Sequence, residues 1–256
     1  NIKSMLLVPE EKIRVIADGE EVSLGDKTLK FIFAPGVHWP DTMFTLLKED
    51  NVICTCDFLG AHYTFSDVFA AESKELEHSA KRYYAEIMMP FRMMCKKYTQ
   101  MIKDMNVDMI LPSHGPVHTR PDYILDLYTD WTSDAPKNLV ALPYVSMYES
   151  TKEMVDYLSA KLNEKGIETF KFDIVDDDLG DLAMALVDAA TIVMGTSMVL
   201  AGPHPMAVNV AYLASVLRPK AKFASLIGSY GWGGKLFDLI AQLLAPLKLD
   251  LVEPLQ

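Results

Sequence analysis

Two kinds of hydrophobic patterning run along this chain, one after the other. In the N-terminal part, short apolar runs bounded by turn residues predict strands at 13–16, 28–33, 42–47, 52–56 and 109–111. The runs at 42–47 and 52–56 flank Lys48-Glu49-Asp50-Asn51, which suits a hairpin. Between them and the last strand, 75–88 and 91–105 repeat apolar positions at helical spacing, and Pro90 should break or kink the helix there. Met88, Met89, Met93, Met94, Met101 and Met105 in this stretch read as core filling.

From residue 139 onward, single strands alternate with single helices. Strands are predicted at 139–145, 167–174, 190–195, 221–227 and 249–252, and helices at 151–164, 181–189, 206–217 and 234–244. Such alternation implies right-handed βαβ units on a parallel sheet, which binds ligands at the carboxyl ends of its strands. The loops after Val145, Gly195 and Gly228 are therefore the expected functional ones. A polar run from Thr132 to Asn138 separates the two patterns, giving expected domains at 1–135 and 138–256.

Composition narrows the classes. A chain of 256 residues, half of them hydrophobic, can build one or two real cores and is not a disordered polymer. The net charge of −11 with no basic stripe argues against nucleic acid as a partner. No apolar run reaches the ~18 residues of a membrane span, and the apolar part of the opening nine residues is too short for a signal peptide. The chain starts without Met and reads as an interior piece of a longer polypeptide. Its three cysteines cannot all pair with one another. Cys54 and Cys56 share a strand face, where a buried, reduced pair is expected, consistent with the cytoplasm.

The three loops of the second half carry matching chemistry. After the first strand, Ser146, Ser150 and Thr151 place hydroxyls beside the free N–H groups of a helix N-terminus, a phosphate-holding arrangement that needs no Lys or Arg. An ordinary capped helix, with Ser150 as cap and Glu153 as its partner, is the competing reading of that loop taken alone. Glu149 would weaken anion binding unless it points outward. There is no Gly-x-Gly-x-x-Gly of the dinucleotide-binding kind. The next loop begins Gly195-Thr196-Ser197-Met198 and the third reads Gly228-Ser229-Tyr230-Gly231-Trp232-Gly233. Their glycines would let backbone approach a flat ligand, and their aromatics could border its rings. Together the loops fit a flavin mononucleotide. Pro143, inside the first strand, is the departure from a regular ladder.

The first half places candidate metal ligands directly after strand-like runs: His38, Asp57 and His114. A carboxylate can bridge two ions while each imidazole binds one, and a mixed nitrogen and oxygen set suits iron, zinc or manganese. His118 would align with His114 on a helix, but Gly115-Pro116 argues against one. His62 stays open between the two roles, and His78 and His204 read as surface or helix-start residues.

The order of these pieces resembles the flavodiiron proteins (A-type flavoproteins): a metallo-β-lactamase-like di-iron domain followed by a flavodoxin-like FMN domain. The most specific matches are Gly36-Val37-His38-Trp39-Pro40-Asp41-Thr42-Met43, Pro112-Ser113-His114-Gly115 and Tyr230-Gly231-Trp232-Gly233-Gly234. The fold class expected is thus α/β, a partial metallo-β-lactamase-like αβ/βα domain ahead of a doubly wound parallel sheet. The resemblance implies that His38 binds one iron, His114 the other, and Asp57 bridges them. It implies that Ser146, Met147, Tyr148, Ser150 and Thr151 surround the FMN phosphate. Thr196, Ser197 and Met198, with Ser229, Tyr230, Gly231, Trp232 and Gly233, would surround the flavin ring.

The activity so implied is reduction of dioxygen to water or of nitric oxide to nitrous oxide. Electrons would come from a rubredoxin, a flavoprotein reductase or the deazaflavin F420, and the assembly would be a head-to-tail homodimer. The family's His-x-Glu-x-Asp-His ligand motif is absent from this sequence, as is the last helix of a flavodoxin-like domain, so neither iron has a full ligand set here. Two other classes compete. One is an FMN electron carrier with a degenerate lactamase-like half. The other is a lactamase-like metallo-hydrolase, which has no use for a flavin site behind it.

Overall fold

The computed structural model describes residues 2–64, 66–231 and 236–255. A short helix α1 (Ile2–Met5) precedes the first sheet, which contains β1 (Glu21–Ser23), β2 (Thr28–Phe33), β3 (Met43–Leu47), β4 (Val52–Cys56) and β5 (Met109–Pro112) in that spatial order. Neighbours are antiparallel up to β4, and β5 runs parallel to β4. The expected hairpin is present, with Thr45 opposite Cys54 and Leu47 opposite Val52. Strand alternation sends Phe44, Ile53, Thr55 and Ile110 into the core. Phe31, Thr45, Cys54 and Leu111 face the other way.

That alternation corrects the expected thiol pair. Cys54 is exposed and Cys56 half-buried, because the buried positions of β4 are Ile53 and Thr55. The strand expected at 13–16 is also not formed. That segment pairs with nothing in the sheet: Val15 is 87% exposed, and Ile13 and Ile16 are only half-buried.

Helices cover the core face. α2 (Lys74–Tyr83) starts at Ser73, whose hydroxyl accepts from the Leu76 N–H. It passes through one π-helical turn at Tyr84–Met88 and a 3₁₀ turn at Met89–Phe91 into α3 (Arg92–Met105). The α-helix is thus interrupted around Pro90, as expected, although the chain stays helical through the interruption. Pro90 falls at the start of the 3₁₀ turn, where its missing N–H is not needed. Met88 and Met89 are fully packed, whereas Met93 is exposed and not core filling; Met94, Met101 and Met105 are partly buried against the core. α4 (Pro121–Trp131) buries Ile124, Leu125, Tyr128 and Trp131, with Tyr128 and Trp131 stacked into a cluster with Tyr84.

The second sheet follows with β6 (Lys137–Val145), α5 (Ser150–Glu164), β7 (Glu168–Asp173), α6 (Leu179–Asp188) and β8 (Ala189–Thr196). A two-stranded flap, β9 (Met198–Val199) and β10 (Gly202–Pro203), leads to α7 (Pro205–Leu217), β11 (Phe223–Gly228), α8 (Leu236–Leu244) and β12 (Asp250–Leu251). Its strand order is β12-β11-β8-β6-β7 and every neighbouring pair is parallel. Renumbered from its first strand, this is the doubly wound order 2-1-3-4-5, whose switch point lies between β6 and β8. Pro143 sits within the interior strand β6, opposite Phe172 on β7.

The sheets share one continuous hydrophobic core, with Leu76, Tyr84 and Ile110 in the same cluster as Ala141, Leu182 and Val210. At their junction the buried Asp188 carboxylate meets Lys81 of α2 at 2.6 Å and Lys137 at 3.2 Å. Lys220 reaches back to the Asp130 carbonyl and the Ser133 hydroxyl. No helix among the described residues is long and apolar enough to cross a membrane.

Candidate functional site

The first sheet brings three loops to one edge. β4 and β5 are parallel neighbours, so the residues leaving their carboxyl ends, Asp57 and His114, emerge side by side. β3 is antiparallel to β4, so the loop entering β3, which carries His38, arrives at the same edge. The Asp57 carboxylate lies between the two imidazoles, with Oδ2 at 3.3 Å from His38 Nε2 and Oδ1 at 3.2 Å from His114 Nε2. The three sequence-predicted metal ligands are thus brought together. One oxygen is directed at each ring, the pattern of a carboxylate bridging two cations that each hold one imidazole.

These donors fit the bridging edge of a two-ion site and leave each ion short of a protein ligand set. Among the described residues no three His, Cys, Asp or Glu side chains converge on a single ion. The loops are tied to one another by backbone: Ser113 N–H donates to the Cys56 carbonyl at 2.7 Å, and Ala61 N–H to the His114 carbonyl at 3.1 Å. Gly60 and Gly115 allow this contact. A Cβ on Gly60 would lie 3.0 Å from the His114 carbonyl oxygen, and one on Gly115 would lie 2.7 Å from that of Ala61.

Two neighbours complete the surroundings. The His62 ring lies 5.5 Å from His114, and the buried Tyr83 ring lies 4.8 Å from His62 and 6.1 Å from His114. Burial, and then the nearby Asp57 and Cys56, push the Tyr83 phenol far above its usual pKa, so it keeps its proton. The sequence reading did not find Tyr83. Its helical period shows that it faces inward, but not what it faces. Of the other histidines, His118 is buried in a non-helical segment, His78 lies on the exposed side of α2, and His204 caps α7 by accepting from Met206 N–H through Nδ1.

At the switch point of the second sheet, a cavity of 330 Å³ is lined by Met147, Tyr148, Ser150, Ser197, Met198, Val199, Leu200, Ser229, Tyr230 and Gly231. These are the three loops singled out from the sequence. Trp232 and Gly233 lie outside the described residues. Thr151 Oγ1 and Ser197 Oγ are both buried without a hydrogen-bond partner. A buried hydroxyl left unpaired is costly, so both atoms suit a ligand that supplies the missing bond.

Two further hydroxyls are engaged. Ser146 Oγ accepts from Lys152 N–H, and Thr196 Oγ1 donates to the Ser197 carbonyl and accepts from His204 N–H. The cap expected at Ser150 is not used, because Ser150 is the first helical residue and Glu149, in the left-handed region, precedes it. Glu149 points outward and pairs with Lys152 at 3.1 Å, so its charge does not occupy the pocket. Tyr148 and Tyr230 stand exposed at the rim.

The glycines divide by role. Gly195 is packed against Tyr144 and Val155, and Gly228 against the Thr196 carbonyl and Leu236, so these two serve the sheet and not a ligand. Gly231 has open space where a side chain would be, as close approach by a flat molecule requires. A larger hollow of 620 Å³ lies between α2 and β7, away from both clusters.

The family described as ODP family beta lactamase matches residues 3–115. A nitric oxide reductase of Moorella thermoacetica is 30% identical over 243 residues, which are 93% of this chain and 61% of that protein. The rubredoxin oxygen:oxidoreductase of Desulfovibrio gigas superposes with a TM-score of 0.92 at 24% identity, covering 99% of this chain and 65% of the other. The flavodiiron protein of Giardia intestinalis gives 0.87 at 24% identity, covering 95% and 62%. The chain thus spans about three-fifths of the length of these proteins.

Proposed function

This chain has the fold of the flavodiiron proteins and sequence relatives among them, and on that ground we propose that it serves the reduction of dioxygen to water or of nitric oxide to nitrous oxide. The observation that carries the reading is the Asp57 carboxylate set between His38 and His114, in a chain whose second sheet carries a pocket lined by Ser197 with its hydroxyl unpaired. Asp57 would be the shared carboxylate ligand of two irons, with His38 a ligand to one and His114 to the other. Thr151 and Ser197 hydrogen-bond FMN, with Ser146, Met147, Tyr148 and Ser150 around its phosphate. Thr196, Met198, Ser229, Tyr230 and Gly231 border its ring, together with Trp232 and Gly233.

When bound, FMN supplies one-electron transfer and the metal ions supply open positions for a diatomic gas. The chain's own residues orient and exclude. Asp57 offsets positive charge at the cluster with a single carboxylate, and the buried Tyr83 holds its phenolic proton beside His114. Residues 1–135 and 138–256 act as two domains. Electrons come from an external carrier such as a rubredoxin, as in the name of the Desulfovibrio gigas protein, and a head-to-tail pair of chains sets one chain's flavin against the other's metals in the cytoplasm.

The test is the metal and flavin content of the purified protein, by elemental analysis and visible spectrum, followed by gas-consumption assays. FMN together with iron supports the reductase. FMN without iron leaves an electron carrier, and zinc without flavin replaces both readings with a hydrolase.

A further inference from the structure

The loop carrying Asp57 is held by more than backbone. After Asp57 the chain turns through Phe58 and Leu59, with Thr55 Oγ1 donating to the Phe58 carbonyl at 2.7 Å and Leu59 in the left-handed region at φ 66°. This turn leaves the Leu59 carbonyl directed at His118, whose Nε2 lies 3.1 Å away. A carbonyl only accepts, so Nε2 carries the proton and donates. His118 is 2% exposed, and burial lowers its pKa, so the ring is neutral with one proton to place.

His118 is also the foot of the other ligand loop. Its N–H donates to the Ile110 carbonyl at 2.9 Å and its carbonyl accepts from Ile110 N–H at 3.0 Å, a bridge that folds residues 113–117 into a closed loop with His114 inside it. One residue therefore fastens the His114 loop through its backbone and the Asp57 loop through its side chain. The Asp57 to His114 separation of 3.2 Å is set between these two fastenings.

We propose that His118 is a positioning residue, clasping the Asp57 turn to the His114 loop through its hydrogen bond to the Leu59 carbonyl and so fixing the carboxylate against the imidazole. It touches no ligand itself. The proposal rests on the metal-site reading above for its purpose, but its geometry belongs to the metal-free chain.

The test compares His118→Gln with His118→Asn. Glutamine places an amide N–H where Nε2 stands, whereas the shorter asparagine places it at the Nδ1 position and cannot reach Leu59. Both are neutral, polar and of similar burial cost. Two readouts are taken on the whole chain: the imidazole ¹⁵N signals of His38 and His114 in the metal-free protein, and the affinity for Fe²⁺ under anaerobic conditions. The expected result is that H118N moves the His114 signals and weakens Fe²⁺ binding by about 10–100-fold, the scale of lost outer-shell support. H118Q should leave both close to the starting protein. Unmoved His114 signals in H118N, or equal effects of H118N and H118Q, would overturn the proposal. If the unaltered chain takes up no iron, the metal-site reading fails, while the metal-free signals still decide the role of His118.

Discussion

Asp57 uses both oxygens of one carboxylate, so its two neighbours respond together to its loss. Asp57→Asn keeps the shape but turns one oxygen into a donor, which can serve neither as a bridge nor as an acceptor for both rings. Iron affinity should fall by more than the ~10–100-fold that follows from losing outer-shell support, measured by anaerobic Fe²⁺ titration, with the circular dichroism spectrum unchanged. The glycines beneath it answer a different measurement. Gly115 has φ +88°, and an added Cβ would lie 2.7 Å from the Ala61 carbonyl oxygen. Gly115→Ala should therefore cost about 1–3 kcal/mol from backbone conformation alone, seen as a lower urea midpoint at constant slope. Retention of the full midpoint would mean that the two ligand loops are not in contact there. Tyr83 is the residue at this scale that the sequence concealed. Twenty-six positions separate it from Asp57, and its neighbourhood is made by the packing of α2 on the sheet edge.

At the scale of elements, the head of α5 has a testable contradiction built into it. Thr151 Oγ1 is fully buried without a partner, a state that disfavours the empty protein and favours one holding an anionic acceptor. Thr151→Val removes the hydroxyl at constant shape. The ligand-free protein should keep its stability or gain up to ~1 kcal/mol, while FMN affinity drops about tenfold or more, because a hydrogen bond to a charged group is worth roughly 1.5–3 kcal/mol. Thermal melts and flavin fluorescence titration separate the two effects, and a fall in both would show that Thr151 serves packing only. The same element scale explains what was legible. The βαβ half was readable because its interior strands β6 and β8 are near-continuous buried runs, and single helices alternate with the strands, so local pattern and fold agree. The short apolar run at 13–16 formed no strand, since a strand needs a partner that no local pattern supplies. α4 is legible too, since Ile124, Leu125, Tyr128 and Trp131 have helical spacing and Pro121 stands at its start. Cys54 was placed on the wrong side because a shared face says nothing about which face is covered.

For the molecule as a whole, the question is whether the two sheets unfold together, and the junction answers it through Asp188. This carboxylate ends α6, pairs with Lys81 from α2 and Lys137 at the start of β6, and is only 7% exposed. Burial by itself would raise its pKa. The hydrogen bond and charge of Lys81, followed by those of Lys137, outweigh burial and leave it lowered. A carboxyl whose folded pKa lies below its unfolded value contributes stability that is present above the unfolded value, near 3.8, and is lost as pH falls through the folded one. Asp188→Asn removes the charge and leaves Lys81 facing a neutral group. Breaking a buried pair costs ~3–5 kcal/mol, and because both lysines retain some solvent the expected loss near pH 7 is roughly 2–3 kcal/mol. The difference from the unaltered protein should shrink below about pH 4, where the carboxyl of the unfolded chain begins to take up its proton while the native one is still charged. Since α2 and α6 also share a continuous core, unfolding should remain a single transition, with fluorescence from the first sheet and circular dichroism giving the same midpoint. Two separated transitions in D188N would mean that this ion pair, and not the shared core, is what couples the half built on the first sheet to the half built on the second.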